Sequence, residues 1–315
     1  MVLTPATDDL DLVVRAAWLY YEDALTQSQI ASRLFVSRQT VGRLLESARK
    51  HGIVRIELDS QYLAAMDLAL SVRERFGLSD AIVVPTARGR LSRERTNERV
   101  AAALAAFVRR HLHPGAIVGV SWGDSVARSL SMLPEEILDG VQFVATAGEL
   151  SAIDEVLTRS PQVLRRLRTM PAPLLVSSEQ VAEVMRQEAS VKEIMTLASR
   201  SVVTLTGMGA ATADGSAVSS GVATSAEVAE FAALGAVGDM LGEWYDVEGK
   251  VVQTSWSRRR IGLGLDELRR LNNVVGVAGG VEKVAAIKGA IAGRLIDALV
   301  TDEPTAQALL REGEL

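Results

Sequence analysis

The hydrophobic positions of this chain change their period along its length, and the changes mark its elements. Leu12, Val13, Ala16, Trp18, Leu19 and Tyr20, then Ile30, Ala31 and Leu34, then Val41, Leu44, Leu45 and Ala48 recur at helical spacing. Each set lines one face of a helix at 3.6 residues per turn, so three short helices are predicted between about Leu10 and Lys50. Ile53, Arg55, Glu57 and Asp59 alternate and predict a short strand or wing. The helical period returns in Tyr62, Leu63, Met66, Leu70 and Phe76 and is stopped by Gly77, which predicts a linker helix. Beyond it, short apolar runs alternate with helical stretches such as Arg93 to His111 and Lys283 to Leu299. The runs are Ala81–Val84, Ile117–Val120, Val141–Ala145, Leu174–Val176, Val202–Thr206, Val274–Ala278 and about Ala298–Thr301. Strands apolar on both faces belong to a parallel sheet covered by helices on each side, so a doubly wound α/β domain is predicted. The expected organisation is a small helical domain over 1–60, a linker helix over 61–78 and an α/β domain over 79–315.

The second and third helices have the signature of a helix-turn-helix. Thr26 is placed to cap the first and Ser37 the second, with Phe35-Val36 as the connection. Opposite the apolar stripe, the second helix carries Arg38, Gln39, Thr40 and Arg43 at its N-terminal end, where recognition helices meet base edges. Arginine pairs bidentately with guanine and glutamine with adenine, while threonine suits a phosphate or a thymine methyl. Residues 26–55 hold six Lys or Arg against the single acidic Glu46, on a chain of formal net charge −5. A basic face on an acidic protein is the footprint of phosphate contact and points to double-stranded DNA. Phe35 stands where many such turns have glycine, so another backbone geometry or some strain is expected there.

Composition narrows what the rest can be. At 315 residues and 48% hydrophobic content, one large and one small domain fit. The sequence has no cysteine, which excludes disulfides and cysteine-based metal or nucleophile chemistry. No apolar run reaches the ~18 residues of a membrane helix. The start lacks a basic, then apolar, signal segment, so a soluble cytoplasmic protein is expected. With 4% aromatic residues, binding of single strands on stacked rings is disfavoured.

Polar chemistry gathers in loops that follow predicted strands, where doubly wound sheets bind ligands. Ser121-Trp122-Gly123-Asp124-Ser125 follows one strand and opens a helix, and glycine with hydroxyls at a helix N-terminus suits an anion. Asp124 opposes a phosphate and reads either as a cap or as a partner for a sugar hydroxyl. Gly207-Met208-Gly209 follows a second strand. Gly235-Ala236-Val237-Gly238-Asp239 places Asp239 beside flexible backbone, with Tyr245-Asp246 nearby. Gly279-Gly280-Val281-Glu282-Lys283 ends a third strand with a lysine at a helix start, able to complete an anion site. Each also has an ordinary structural reading, Asp239 as a turn residue and Lys283 as a solvated charge. Together they describe the layout for a phosphorylated polar ligand.

These motifs resemble the SorC family of bacterial sugar-responsive regulators. The resemblance rests on GVSWGDS (Gly119–Ser125), GMG (Gly207–Gly209), GAVGDMLGEWYD (Gly235–Asp246), RRRIGLGLDELRRL (Arg258–Leu271), VAGGVEKVAAI (Val277–Ile287) and LVTDEPTA (Leu299–Ala306). It implies an effector domain similar in fold to sugar-phosphate isomerases, assembly as a homotetramer or dimer on palindromic operators, and no cofactor. It further implies that Gly123, Asp124, Ser125 and Lys283 hold the phosphate of a sugar or polyol effector. Asp239, with Asp246 and Glu282 as further candidates, would accept bonds from its hydroxyls. Arg260 would face or brace the pocket, beside Gly207 and Gly209. Asp124 and Ser125 depart from the two hydroxyl residues common among relatives.

The competing reading is a sugar-phosphate isomerase or deaminase with Asp239, Asp246 or Glu282 as general base. The three histidines fit such chemistry poorly. His51 follows the recognition helix, while His111 and His113 precede a strand and read as a solvated turn. A DNA-binding regulator of carbohydrate or polyol genes, controlled by a phosphorylated effector, is the expected function. The resemblance implies repression as the commoner behaviour, and the sequence leaves open whether the effector releases or strengthens DNA binding.

Overall fold

The apolar sets spaced three and four apart close into helices that share one small core. The computed structural model describes residues 7–55, 60–86, 92–149 and 160–311. They fall into two compact units, residues 1–59 and 60–315. In the first, α1 (Thr7–Tyr21), α2 (Gln27–Leu34) and α3 (Arg38–Lys50) bury Ala16, Leu19, Ile30, Val41 and Leu45 together. Thr26 starts α2 through a capping box: its hydroxyl accepts from the Gln29 amide, and its own amide donates to Gln29 Oε1 at 2.9 Å. Ser37 caps α3, accepting from the Thr40 amide at 3.0 Å. Between them the chain turns through Phe35 at φ 55°, a left-handed conformation that costs a side-chain-bearing residue about 1 kcal/mol. The Phe35 ring gains nothing in return, being 94% exposed.

In the second unit the strands are β1 (Asp80–Val84), β2 (Ile117–Val120), β3 (Gln142–Ala145), β4 (Leu167–Arg168), β5 (Val203–Gly207), β6 (Gly209–Ala210), β7 (Gly238–Met240), β8 (Glu243–Tyr245), β9 (Val274–Val277) and β10 (Ala298–Asp302). Seven of them form one parallel sheet in the order β1-β10-β9-β5-β2-β3-β4, and β6-β7-β8 form a small antiparallel sheet. Both faces of the large sheet are covered, as the apolar runs require. Val118, Phe143, Leu205, Val275 and Val300 pack with Leu104 of α5 (Arg93–Arg109) and Leu130 of α6 (Asp124–Ser131). Val144, Val274 and Leu299 pack on the other face with Ile194, Ile287 and Leu309. A satellite core of Phe231, Trp244 and Trp256, with ring centroids 5.1–6.1 Å apart, supports the small sheet.

The helix read as a linker, α4 (Ser60–Phe76), is part of this second unit. It buries Ala65 and Val72 and packs on β1 and the helix Glu303–Leu310.

The chain leaves β2 for β3 and β4 on one side, then returns to β5, β9 and β10 on the other. The winding therefore reverses between β2 and β5, and it is beyond the carboxyl ends of strands at such a point that doubly wound sheets form their ligand crevice.

Several expected elements differ. Leu174–Val176 joins no sheet; Leu175 makes a lone antiparallel bridge with Arg260, because β4 already holds the edge beside β3. The helix from Lys283 does not reach Leu299. It spans Val284–Ala292 and ends at Gly293, leaving room for the chain to turn into β10. His111 is no solvated turn: it is partly buried, its ring stacked 4.7 Å from that of Phe107. Of the alternating segment read as a wing, residues 51–54 form a turn, while Glu57 and Asp59 lie outside the described residues.

Replacing Phe35 with glycine removes the backbone strain at φ 55°. Hydrogen exchange of the α2 and α3 amides should slow by up to about fivefold, equivalent to about 1 kcal/mol. Unchanged or faster exchange would mean that the phenylalanine is unstrained in this turn.

Candidate functional site

The crevice is built first from backbone. Beyond β2, Gly123 adopts φ 145°, and a Cβ on it would sit 3.6 Å from the Gly207 Cα. A Cβ on Gly207 would stand 3.1 Å from the Trp122 carbonyl oxygen. The loops that end β2 and β5 thus meet main chain to main chain: a side chain at 207 would crowd the Trp122 carbonyl, and the φ at 123 suits glycine. Beneath them the buried Ser121 hydroxyl donates to Thr206 Oγ1 at 3.0 Å. Asp124 opens α6, where the helix dipole favours a carboxylate. Its Oδ1 accepts from Arg128 Nε at 2.8 Å and its Oδ2 from Asn97 Nδ2 at 3.2 Å. The hydrogen bond that Arg128 donates to Asp124 is the main reason its guanidinium is held charged more firmly than usual. With its charge matched in this way, Asp124 repels an approaching anion less than a bare carboxylate would. Ser125, next in α6, is partly buried, and its hydroxyl makes no hydrogen bond among the described residues.

Asp239 and Lys283 lie close enough here for each to act on the other's charge. Asp239 lies in β7, paired with Gly209 of β6, and a Cβ on Gly209 would fall 2.0 Å from Asp239 Oδ1. Glycine at 209 is therefore the space in which the carboxylate sits. Gly238 brings β7 equally close to the helix Val284–Ala292, since its Cβ would meet that of Ala286 at 2.5 Å. Burial pushes the Asp239 carboxyl up to about 6, against the pull of the Lys283 ammonium and the Gly242 amide. Lys283 ends a short turn, Val281–Lys283, and is 9% exposed. Burial lowers its pKa, and nearby Arg93 lowers it further, while Glu282, Asp239 and Asp124 oppose the shift. No carboxylate among the described residues comes within ion-pair distance of it. The turn before it is fixed from the helix Glu303–Leu310, where Thr305 Oγ1 accepts the Gly280 amide at 2.9 Å.

The other expected site residues are placed differently. Glu282 is exposed, with its carboxylate folded over Gly280. Asp246 uses Oδ1 to accept the amides of Glu248 and Lys250, both at 2.9 Å, and so pins the turn after β8. Arg260 is 5% exposed and braces the small sheet, donating to the Leu241 carbonyl at 3.3 Å and lying 3.8 Å from Glu243 Oε2. Among the described residues neither Asp246 nor Arg260 forms a hydrogen bond or ion pair with Asp239 or Lys283.

Two neighbours of the pair escaped sequence reasoning. Arg93, in the first turn of α5, reaches the Asp214 carbonyl at 3.2 Å and lies close enough to Lys283 to depress its pKa. A cation at the start of a helix opposes the dipole, and that misfit was the available signal. Ser216 Oγ lies 3.1 Å from the space above Gly209, beside the Asp239 carboxylate. Its position depends on tertiary folding alone.

In the N-terminal unit, Ser37, Arg38, Gln39 and Arg43 are exposed at the start of α3 and Thr40 is partly so. Ser37 Oγ and Thr40 Oγ1 lie 2.8 Å apart. Arg38 borders an open crease of about 550 Å³ with Tyr20, Leu25 and the first residues of α2.

Comparison with known proteins agrees with this division. Residues 60–311 match the family described as "Putative sugar-binding domain", and residues 16–61 match the MarR family. "Transcriptional regulator LsrR" of Klebsiella pneumoniae subsp. pneumoniae is 36% identical over 305 residues, covering 95% of this chain and 93% of that protein. The "Sorbitol operon regulator" of Klebsiella pneumoniae is 31% identical over 314 residues, covering 97% and 99%. The crystal structure of the full-length sorbitol operon regulator SorC from the same organism superposes with a TM-score of 0.72 at 30% identity, over 97% of this chain and all of that one.

The raised pKa of Asp239 has a signed consequence. An acid that titrates near 6 when folded and near 4 when unfolded adds stability below about pH 4, and that stability is lost as pH rises through 6. At neutral pH the ionised carboxylate therefore costs about 2–3 kcal/mol. Because Lys283 loses part of its counter-charge, Asp239→Asn should stabilise the ligand-free protein in urea by only about 1–2 kcal/mol at pH 7.5, and by less at pH 5, where the carboxyl is already largely protonated. A destabilised variant at pH 7.5 would instead make the carboxylate and Lys283 a net stabilising pair.

Proposed function

The chain belongs to the SorC family of sugar-binding transcriptional regulators, and we propose that the crevice between β2 and β5 receives the phosphorylated sugar or polyol that resets its DNA affinity. It is a DNA-binding regulator of carbohydrate-metabolism genes. The observation that carries the receptor reading is Lys283, a buried cation with no ion pair among the described residues, beside the carboxyl of Asp239. A phosphate supplies the anion that Lys283 lacks, and the amides of the Gly123 loop at the start of α6 add donors to it. Asp239 accepts from sugar hydroxyls, and Gly207 and Gly209 let the ligand approach main chain. Arg93 adds a second cation near the phosphate.

In the N-terminal unit, Arg38 reads guanine, Gln39 reads adenine, and Ser37, Thr40 and Arg43 set the helix on the duplex. Two or four copies of the chain present these helices to a palindromic operator. The effector binds one arrangement of the copies better than another, and the operator prefers the other, so effector binding releases the DNA. A difference of about 3 kcal/mol between the arrangements changes operator affinity roughly a hundredfold.

One observation favours a second reading. A carboxyl with a pKa near 6 in a crevice is also suited to general-base catalysis. Turnover of a sugar phosphate that disappears in Asp239→Asn would establish it.

The test is fluorescence anisotropy on the chain's own upstream intergenic DNA, at fixed salt, with a panel of sugars, polyols and their phosphates. One phosphorylated compound should weaken specific binding, while its unphosphorylated parent has a much smaller effect. Lys283→Ala should abolish that response and keep the operator affinity of the effector-free protein. A normal dose response in this variant removes Lys283 from the site. Arg38→Ala should weaken operator binding by about 1–3 kcal/mol and leave effector affinity intact. Unchanged operator binding removes it from the reading face.

A further inference from the structure

We propose that Phe35 makes an apolar contact with operator DNA, so that the turn before the recognition helix reads the duplex as well as the helix itself. The proposal rests on the reading that the Arg38 end of α3 meets the operator.

Two independent observations single out this residue. Its backbone holds φ 55°, a conformation suited to glycine, and its ring is 94% exposed. Neither is compensated within the unit. Leu34 and Val36, on either side of it, pack against the core of Ile30, Val41 and Leu45, and Phe35 does not. The free protein thus carries a strained turn in order to show an aromatic ring to water. Uncompensated strain of this kind marks a site whose partner is absent.

Position and charge identify the partner. Phe35 lies two residues before Ser37, the cap of α3, and three before Arg38. The exposed side chains around it in sequence are Arg33, Arg38 and Gln39, and Arg43 follows one turn later along α3. A surface of this composition suits a polyanion and would repel the basic face of a second copy. Duplex DNA offers an aromatic ring two apolar surfaces within its charged frame, the thymine methyl groups in the major groove and the deoxyribose carbons along its wall. Either contact would remove the ring from water without engaging a phosphate.

Such a contact has a thermodynamic signature. Apolar contact releases no counterion, so its loss lowers affinity and leaves the salt dependence unchanged; loss of a phosphate-neutralising arginine lowers the slope. Phe35→Gly and Phe35→Asn both suit a left-handed backbone and both remove the ring. In the full-length protein each is expected to bind operator about tenfold more weakly, with an unchanged slope of log Kd against log salt and a melting temperature at or above that of the parent. An operator with uracil in place of thymine distinguishes the two surfaces. If the ring rests on a methyl group, the parent loses affinity for uracil DNA and the variants do not. If it rests on deoxyribose, neither does.

Unchanged operator affinity in both variants, while Arg38→Ala weakens binding, would overturn the proposal and keep the recognition helix. A loss accompanied by a lower salt slope or a lower melting temperature would also overturn it, by making Phe35 an organiser of the turn. No loss in either Phe35 variant or in Arg38→Ala would remove this end of α3 from the DNA altogether.

Discussion

Lys283 is a cation held away from water, with no carboxylate among the described residues at ion-pair distance, and the geometry around the carboxyl edge of the sheet follows from that cost. A buried ammonium is tolerated only where other groups offset its desolvation. Asp239, Glu282 and Asp124 each favour its charge from outside ion-pair distance, while Arg93 opposes it. The compensation is partial on both sides of the pair, since burial drives the Asp239 carboxyl up as it drives the lysine down. Such a pair is poised rather than settled. A ligand that brings an anion to one partner and hydroxyls to the other relieves both costs together, and its binding energy includes that relief.

The backbone arrangement serves the same end. Glycines at 123, 207 and 209 occur where the winding of the sheet reverses, and each removes a side chain from a space that another group occupies or approaches. Thr305 fixes the Gly280 amide from the helix Glu303–Leu310, so the turn carrying Lys283 is anchored by a neighbouring element and not by the charge itself. The DNA-reading unit follows a parallel logic. Its core of Ile30, Val41 and Leu45 is closed and its caps are satisfied, so the strain lies at Phe35, outside the core. In both units stability is given up where a partner is expected and kept elsewhere.

What could be read from the sequence was what depends on near neighbours. Thr26 and Ser37 announced their helices because capping involves residues three apart, and the apolar stripe of α3 left its basic face as the remainder. Most strands of the parallel sheet were legible as apolar runs, since burial on both faces leaves no polar positions. The two-residue strand β4 and the small sheet β6-β7-β8 were not, because Leu167-Arg168, Gly209-Ala210 and Gly238-Asp239-Met240 are too short to carry a period. Leu174–Val176 misled for the opposite reason: it is apolar and buried, yet it bridges to Arg260 instead of joining a sheet. At the site, motif resemblance brought out the glycines, Asp239 and Lys283. It could not separate them from Asp246, whose carboxylate closes its own turn, or from Arg260, which braces the small sheet. The burial of Lys283 had no sequence signal either, since a lysine at a helix start is ordinarily solvated.

The measurement that tests the account most directly is reciprocity between the two units. Sugar phosphates that shift operator binding would be titrated calorimetrically into the full-length protein, with and without saturating operator DNA. Thermodynamic linkage requires that operator weaken effector binding by the same factor by which effector weakens operator binding. The account predicts equal factors, both lost together in Lys283→Ala. Effector binding that is equally tight with and without operator would contradict it, leaving a sugar-phosphate receptor and a DNA reader in one chain with no switch between them.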